Sequence, residues 1–191
     1  MTIDTQIYNN LLHQIKNNGL RLGYVPKSYR TCEICLEAVK QSGLNLSAVP
    51  KEQKTKDVCL EAVKQYGFSL IYVPEEIKDY DICLEAVKGN GFAIDNVPRK
   101  HRTYNLCLEA VKNNGRVLKY IPTKHRDYKM CLEAIKQIGS NYYYRVFGPK
   151  DENSICIETI KSNKWILNYI PDRFKNKLLE DLQLGELKYV A

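Results

Sequence analysis

The sequence predicts an all-α fold, an α-solenoid of about six 24-residue helical repeats with modified terminal caps, and three observations predict it. Cys35, Cys59, Cys83, Cys107 and Cys131 recur every 24 residues, each inside the word Cys-Leu-Glu-Ala-Val/Ile-Lys. Self-similarity at a period of 20–50 residues marks supersecondary units that bury a core only against their neighbours. Glycines and prolines keep the phase of the cysteines. Around each cysteine the apolar residues follow the three- and four-residue spacing of an amphipathic helix.

The copy from Asp79 to Ile94 shows each element in order. Asp79 is placed to accept from free amides at a helix start, a position repeated by Thr31, Thr55, Thr103 and Asp127. The helix that follows is about 11 residues long, with Ile82, Cys83, Ala86 and Val87 on its inner face. Gly91 is expected to end it in the left-handed conformation, as are Gly19, Gly43, Gly67, Gly115 and Gly139. Next come the apolar pairs Leu22/Val25, Leu46/Val49, Leu70/Val73, Ile94/Val97 and Leu118/Ile121, three apart, each followed by Pro26, Pro50, Pro74, Pro98 or Pro122. Proline disfavours helix at the preceding residue and suits the start of a new turn. A short helix before each proline and a helical turn after it complete the unit. A leucine-rich repeat is the competing architecture, since Leu44-Asn45-Leu46 looks locally like its strand. Arg116 and Ser140 replace the first leucine, however, and no asparagine ladder recurs.

The terminal units depart as caps should. Leu11 stands in the cysteine position of the first repeat, and Cys156 arrives after 25 residues with Lys164 in place of the stop glycine. Phe174, Leu178, Leu179 and Leu182 form a face able to cover the last core. The expected organisation is one domain over 1–191, with regular repeats at about 20–139 and an irregular repeat and cap at 140–191.

The thiol column reads as small buried hydrophobes in a reducing compartment, because stacked helices about 8–10 Å apart do not bring Cα atoms within disulfide reach. Cys32-x-x-Cys35 is the one CxxC, but its redox reading lacks the alternating strands of that fold class, and zinc lacks a second ligand pair. Glu37, Glu61, Glu85, Glu109, Glu133 and Glu158 each precede a lysine by three residues and read as solvated ion pairs, not as catalytic carboxylates. His13, His101 and His125 are the only histidines, and no nucleophile–base pair or phosphate loop is recognisable. The expectation is no enzyme, no cofactor and no metal. No basic region followed by an apolar run opens the chain, and no stretch approaches the roughly 20 apolar residues of a membrane span. A cytoplasmic protein is expected; export into a host cytosol is not readable from such signals.

Charge is irregular where the repeats are regular. Between Asn96 and Lys136 ten basic residues face three acidic ones, an excess equal to the chain's formal charge of +7. Arg99, Lys100, Arg102, Arg116, Lys119, Lys124 and Arg126 are the candidate partner-binding residues, joined by Tyr142, Tyr143 and Tyr144. Such a field attracts an acidic protein surface, nucleic acid or anionic lipid. Tyr80, Tyr104 and Tyr128 share one repeat position beside it. They read either as interface packing with hydroxyls toward water or as stacking platforms for single-stranded nucleic acid.

The run Gly67 to Lys88, Gly-Phe-Ser-Leu-Ile-Tyr-Val-Pro-Glu-Glu-Ile-Lys-Asp-Tyr-Asp-Ile-Cys-Leu-Glu-Ala-Val-Lys, resembles the helical repeats of the domain of unknown function 4116 family, over about residues 8–171. That resemblance implies no catalytic residues. Similar repeats occur in proteins of bacteria living inside protozoa and of large viruses infecting such hosts, which points toward a host-interacting accessory or effector protein. The expected function is a non-catalytic module holding a protein partner, acidic in character, along one face. The alternative is a nucleic-acid-binding protein using the basic, tyrosine-flanked patch at 96–136.

Overall fold

A computed structural model describes residues 4–147 and 152–182, with side chains in those spans except at 18, 141–147 and 152–153. All regular structure among the described residues is helical. The chain divides into two compact units, Met1–His101 and Arg102–Ala191.

The first unit holds α1 (Thr5–Asn18), α2 (Cys32–Gln41), α3 (Lys56–Gln65) and α4 (Tyr80–Gly89). Between them run 3-10 helices at Leu22–Tyr24, Gly43–Ala48, Gly67–Tyr72 and Gly91–Asn96, each ending just before the expected proline. The 3-10 helices at Gly43–Ala48 and Gly67–Tyr72 each pack against the α-helix before and the α-helix after, so α and 3-10 layers face each other. The second unit repeats the plan with α5 (Tyr104–Asn113), α6 (Tyr128–Phe147), α7 (Glu152–Ser162) and α8 (Asp172–Asp181), and with 3-10 helices at Gly115–Tyr120 and Lys164–Tyr169.

The N-caps form where the sequence places them. Thr31, Thr55, Asp79, Thr103 and Asp127 accept from the backbone amides of Ile34, Val58, Ile82, Leu106 and Met130 at 2.8–3.4 Å. Each satisfies one amide that the first helical turn leaves unpaired, worth about 1 kcal/mol. On the inner face Val58, Cys59, Ala62 and Val63 are fully buried, as are their counterparts in α2, α4, α5 and α6. A buried Val, Leu or Ile contributes about 1.5–3 kcal/mol, so no helix is stable without its neighbours. Burial pushes the thiols of Cys35, Cys59, Cys83 and Cys107 up to about 11 and that of Cys131 up to about 12. They are protonated packing groups at neutral pH. Cys32 alone is exposed.

The repeat glycines work differently from the sequence expectation. Among described glycines only Gly19 has positive φ, 63°, with its amide bonded to Gln14 O. The helices before Gly43, Gly67, Gly91 and Gly115 stop one residue earlier, at Ser42, Tyr66, Asn90 and Asn114, whose φ lies between −153° and −157°. Glycine is required by a close approach instead. A β-carbon on Gly43 would stand 2.2 Å from Ala62 O, one on Gly67 2.3 Å from Ala86 O, and one on Gly115 2.1 Å from Ala134 O. The hydrogen in that place points at the carbonyl of the next repeat, a Cα–H···O contact that sets how tightly neighbours stack. Gly139 is no stop either: α6 runs through it, and its β-carbon would meet Thr159 Oγ1 at 2.1 Å and Ile155 Cγ2 at 2.5 Å. It lets α7 close on α6.

The helices before the prolines are 3-10, not α, and their burial has period three. Gly43, Leu46 and Val49 are buried while Leu44 and Ser47 are exposed; Gly67, Leu70 and Val73 are buried while Phe68 and Ile71 are exposed. Three residues per turn eclipse positions i and i+3, which gives each short helix one inward and one outward edge. Leu44 and Leu46 thus face opposite ways without any strand. At the far end Leu178, Leu179 and Leu182 are buried and Phe174 is half-buried, with α8 packed on α6 as a cap.

Candidate functional site

Arg102 and Arg126, two of the candidate binding residues, belong to a repeat position that is basic five times: Arg30, Lys54, Lys78, Arg102 and Arg126. Within the first unit Arg30 donates to Val25 O, Ala48 O and Gly23 O at 2.9, 2.9 and 3.2 Å, and Lys54 donates to Tyr72 O at 2.8 Å. Lys78 is buried and paired with Glu75 at 2.5 Å. In the second unit Arg126 donates to Ile121 O, Tyr169 O and Lys119 O at 2.8, 3.1 and 3.1 Å, and Arg102 donates to Tyr120 O at 3.4 Å. The last carbonyls of a short helix have no partner within it, and Arg30, Lys54, Arg102 and Arg126 satisfy such carbonyls across adjacent repeats. The charge at 102 and 126 therefore has a repeat-wide structural cause. Burial pulls the Arg126 guanidinium below its ordinary value.

A second set of contacts joins one repeat position near a helix start, Tyr8, Lys56, Tyr104 and Tyr128, to a polar group of another helix, which is the N-cap of the next helix for Lys56 and Tyr104. Tyr8 donates to Glu33 at 2.6 Å and lies 3.2 Å from Thr31 Oγ1; Lys56 pairs with Asp79 at 2.5 Å; Tyr104 donates to Asp127 at 3.0 Å; Tyr128 donates to Asp181. Burial and then the accepting carboxylate raise the phenols of Tyr104 and Tyr128, the latter to about 12. Packing is the reading that holds for these two, with hydroxyls on carboxylates and not in water. Asp79 moves the other way, its carboxyl lowered first by the Ile82 amide and then by Lys56. The expected Glu–Lys pairs form at 37–40, 85–88, 109–112 and 158–161.

What remains for a partner is the outward edge of the 3-10 layer and the turns beside it. In the first unit this edge is apolar: Leu44, Phe68, Ile71 and Tyr72 are exposed, with Tyr66 against Phe68 at 5.9 Å between ring centroids. Leu44 is 52% exposed, Ile71 57% and Tyr24 77%. Tyr24 and Leu44 also flank an open groove of about 650 Å³ whose polar lining includes Arg21, Gln41 and Asn45. The sequence analysis passed over this edge. Its signal was the three-residue alternation of Phe68 and Ile71 with Leu70 and Val73.

In the second unit the same edge is cationic. Arg116 and Lys119 occupy the positions of Phe68 and Ile71, and both are exposed, as is Lys124 on the turn Thr123–His125. Arg99 and Lys100, also exposed, lie in the first unit on the turn Arg99–His101. Lys129 stands in the first turn of α6, where α2, α3 and α4 carry Glu33, Asp57 and Asp81. A cation there opposes the helix dipole at a cost of about 0.3–1 kcal/mol. Arg173 and Lys177 on α8 add to this surface, which the sequence reading missed because it stopped at Lys136. Tyr142, Tyr143 and Tyr144 lie on α6, with side chains outside the described residues. Among the described residues no group of three His, Cys, Asp or Glu side chains is placed to hold a metal, and no helix is long and apolar enough to cross a membrane.

No curated protein and no solved structure matches the chain. The family model described as "Domain of unknown function (DUF4116)" matches twice, over residues 55–102 and 104–145. Both segments carry the glycine contact, the proline turn and the capped cysteine helix described above, and over both the chain matches the repeat of the DUF4116 family.

Proposed function

We propose that this protein is a non-catalytic docking module that holds a protein partner on the outward edge of its 3-10 layer. One observation carries the reading: the three-residue burial period divides each 3-10 helix into a buried side of repeated chemistry and an exposed side whose chemistry changes from repeat to repeat. Phe68, Ile71 and Tyr72 keep 36%, 57% and 39% of their surface exposed, and contiguous exposed apolar surface is a mark of interaction sites. Repeat scaffolds supply extended surfaces of this kind. The non-catalytic part is supported by the state of the reactive groups, since the repeat thiols are buried and raised and the recurring glutamates are tied to lysines.

The test is affinity capture from a host-cell lysate with the parent and with Phe68→Glu/Ile71→Glu, each with and without nuclease. The parent should retain a protein after nuclease, and the variant should lose it while keeping its far-ultraviolet circular dichroism. Retention by both chains would remove this edge from the function. Loss of all capture on nuclease treatment would favour nucleic acid.

A further inference from the structure

Five of the seven acidic side chains described in the second unit are committed. Glu109 pairs with Lys112 at 2.8 Å, Glu158 with Lys161 at 3.3 Å and Asp172 with Lys175 at 2.6 Å. Asp127 caps α6 and accepts from Tyr104, and Asp181 accepts from Tyr128. Against this, Lys119, Lys124, Arg173 and Lys177 are exposed and have no acidic partner among the described residues.

The Arg126 clamp and the contact of Tyr128 with Phe174 tie together the segments that carry these four. Arg126 ties Lys119 O to Tyr169 O, so the ends of two 3-10 helices meet at its guanidinium. Lys124 and Arg173 are each two residues beyond the proline that follows such a helix, Pro122 and Pro171, Lys124 on the turn that leads into α6 and Arg173 in the first turn of α8, which packs on α6. Tyr128 and Phe174 lie edge to face at 6.3 Å, joining the start of α6 to α8. Lys177 sits over the Tyr128 ring at 4.9 Å, Arg173 over Phe174 at 4.7 Å and Lys119 over Tyr120 at 4.7 Å.

Resting on the docking reading, we propose that Lys119, Lys124, Arg173 and Lys177 form a binding site for an extended acidic polypeptide segment. The chemistry is charge complementarity: apart from exposed Glu180, the neighbouring carboxylates Asp127, Asp172 and Asp181 are each held by another group, and the cations that remain attract and orient a chain of Asp and Glu. Nucleic acid fits less well, because sequence-tolerant binding of single strands uses open aromatic faces for base stacking. Here the faces of Tyr120, Tyr128 and Phe174 already carry the protein's own cations. Every third residue of a polyproline II segment lies on one side of it, about 9 Å apart, so a segment with an acidic residue at every third position presents one row of carboxylates to these cations.

The experiment uses the full chain and fluorescence anisotropy with a labelled Glu-Gly-Gly repeat peptide. Parallel arms use labelled oligothymidylate of the same charge and phosphatidylserine vesicles. Lys124→Glu/Arg173→Glu is compared with Lys27→Glu/Lys64→Glu, which changes net charge equally but reverses exposed lysines of the first unit. Lys124→Gln/Arg173→Gln serves as a milder variant of the site. The peptide should bind parent and first-unit variant alike. Its affinity should fall about tenfold or more in the glutamate variant of the site, fall by less in the glutamine variant, and weaken with salt in every chain. Equal weakening in the first-unit variant, or tighter binding of oligothymidylate or vesicles lost on the same site substitutions, would overturn the proposal. Phe68→Glu/Ile71→Glu should leave peptide binding unchanged, so failure of this site and failure of the apolar docking edge are read in separate assays.

Discussion

Phe68 and Ile71 in the first unit and Arg116 and Lys119 in the second hold the same two outward positions of a 3-10 helix, on the same backbone and over equivalent buried residues. The units differ likewise in charge, with thirteen basic and twelve acidic residues in the first against sixteen and ten in the second. What the difference teaches is where the repeat is constrained. Glycine contact, cap, thiol and clamp positions keep their chemistry because each is tied to a helix start, the core or a neighbouring repeat. The outward pair touches none, and its chemistry is free to follow a partner.

That comparison breaks first at the glycine contact. Gly67→Ala, which puts a β-carbon 2.3 Å from Ala86 O, should destabilise by about 3 kcal/mol, since backbone on both sides must shift. Gly89→Ala, at the end of α4, meets nothing nearer than 3.7 Å and should stabilise by about 0.5–1 kcal/mol. Chemical denaturation of the two variants checks the sign. Two equal losses would mean that the glycines are not set by inter-repeat approach.

The clamp comes next. Arg126→Ala removes a guanidinium bonded to three carbonyls and should cost about 2–3 kcal/mol, whereas Lys54→Ala removes one exposed bond and should cost about 1 kcal/mol or less. Thermal melts rank the pair, and the reverse order would return Arg126 to the list of free surface cations.

The smallest effect is expected where the two units differ most. Exchanging the outward pairs, Phe68→Arg/Ile71→Lys in one variant and Arg116→Phe/Lys119→Ile in another, should move stability by no more than about 0.5 kcal/mol, as for other surface changes. A loss of several kcal/mol in either would show that the edge is part of the fold and not of the function.

Much of this arrangement is legible in the sequence because it is local. A threonine or aspartate three residues before an amide caps it whatever the surroundings, and a cysteine between apolar helical neighbours reads as core. The clamp also left a trace, basic residues at all five equivalent positions from Arg30 to Arg126. Read only within 96–136, that trace looked like part of a binding patch, and the repeat position explains it better. Gly139 shows the opposite case. Its neighbourhood resembles the other repeat glycines, yet the residues after it lack the spaced apolar pair and proline, so α6 continues and the glycine serves a helix crossing.

By itself the sequence determined the repeat period, the helical class, the caps, the buried thiols and the place of each proline turn, since all of these follow from side-chain periodicity and backbone preference within one unit. Only the tertiary structure decided that glycine marks a carbonyl contact and not a left-handed residue, that the second helix of each unit is 3-10, and that Tyr128 and Phe174 meet across 46 residues of chain. The physical reason is common to the three. Each depends on the distance between neighbouring repeats, which is set by how their side chains pack and not by the preferences of any one segment.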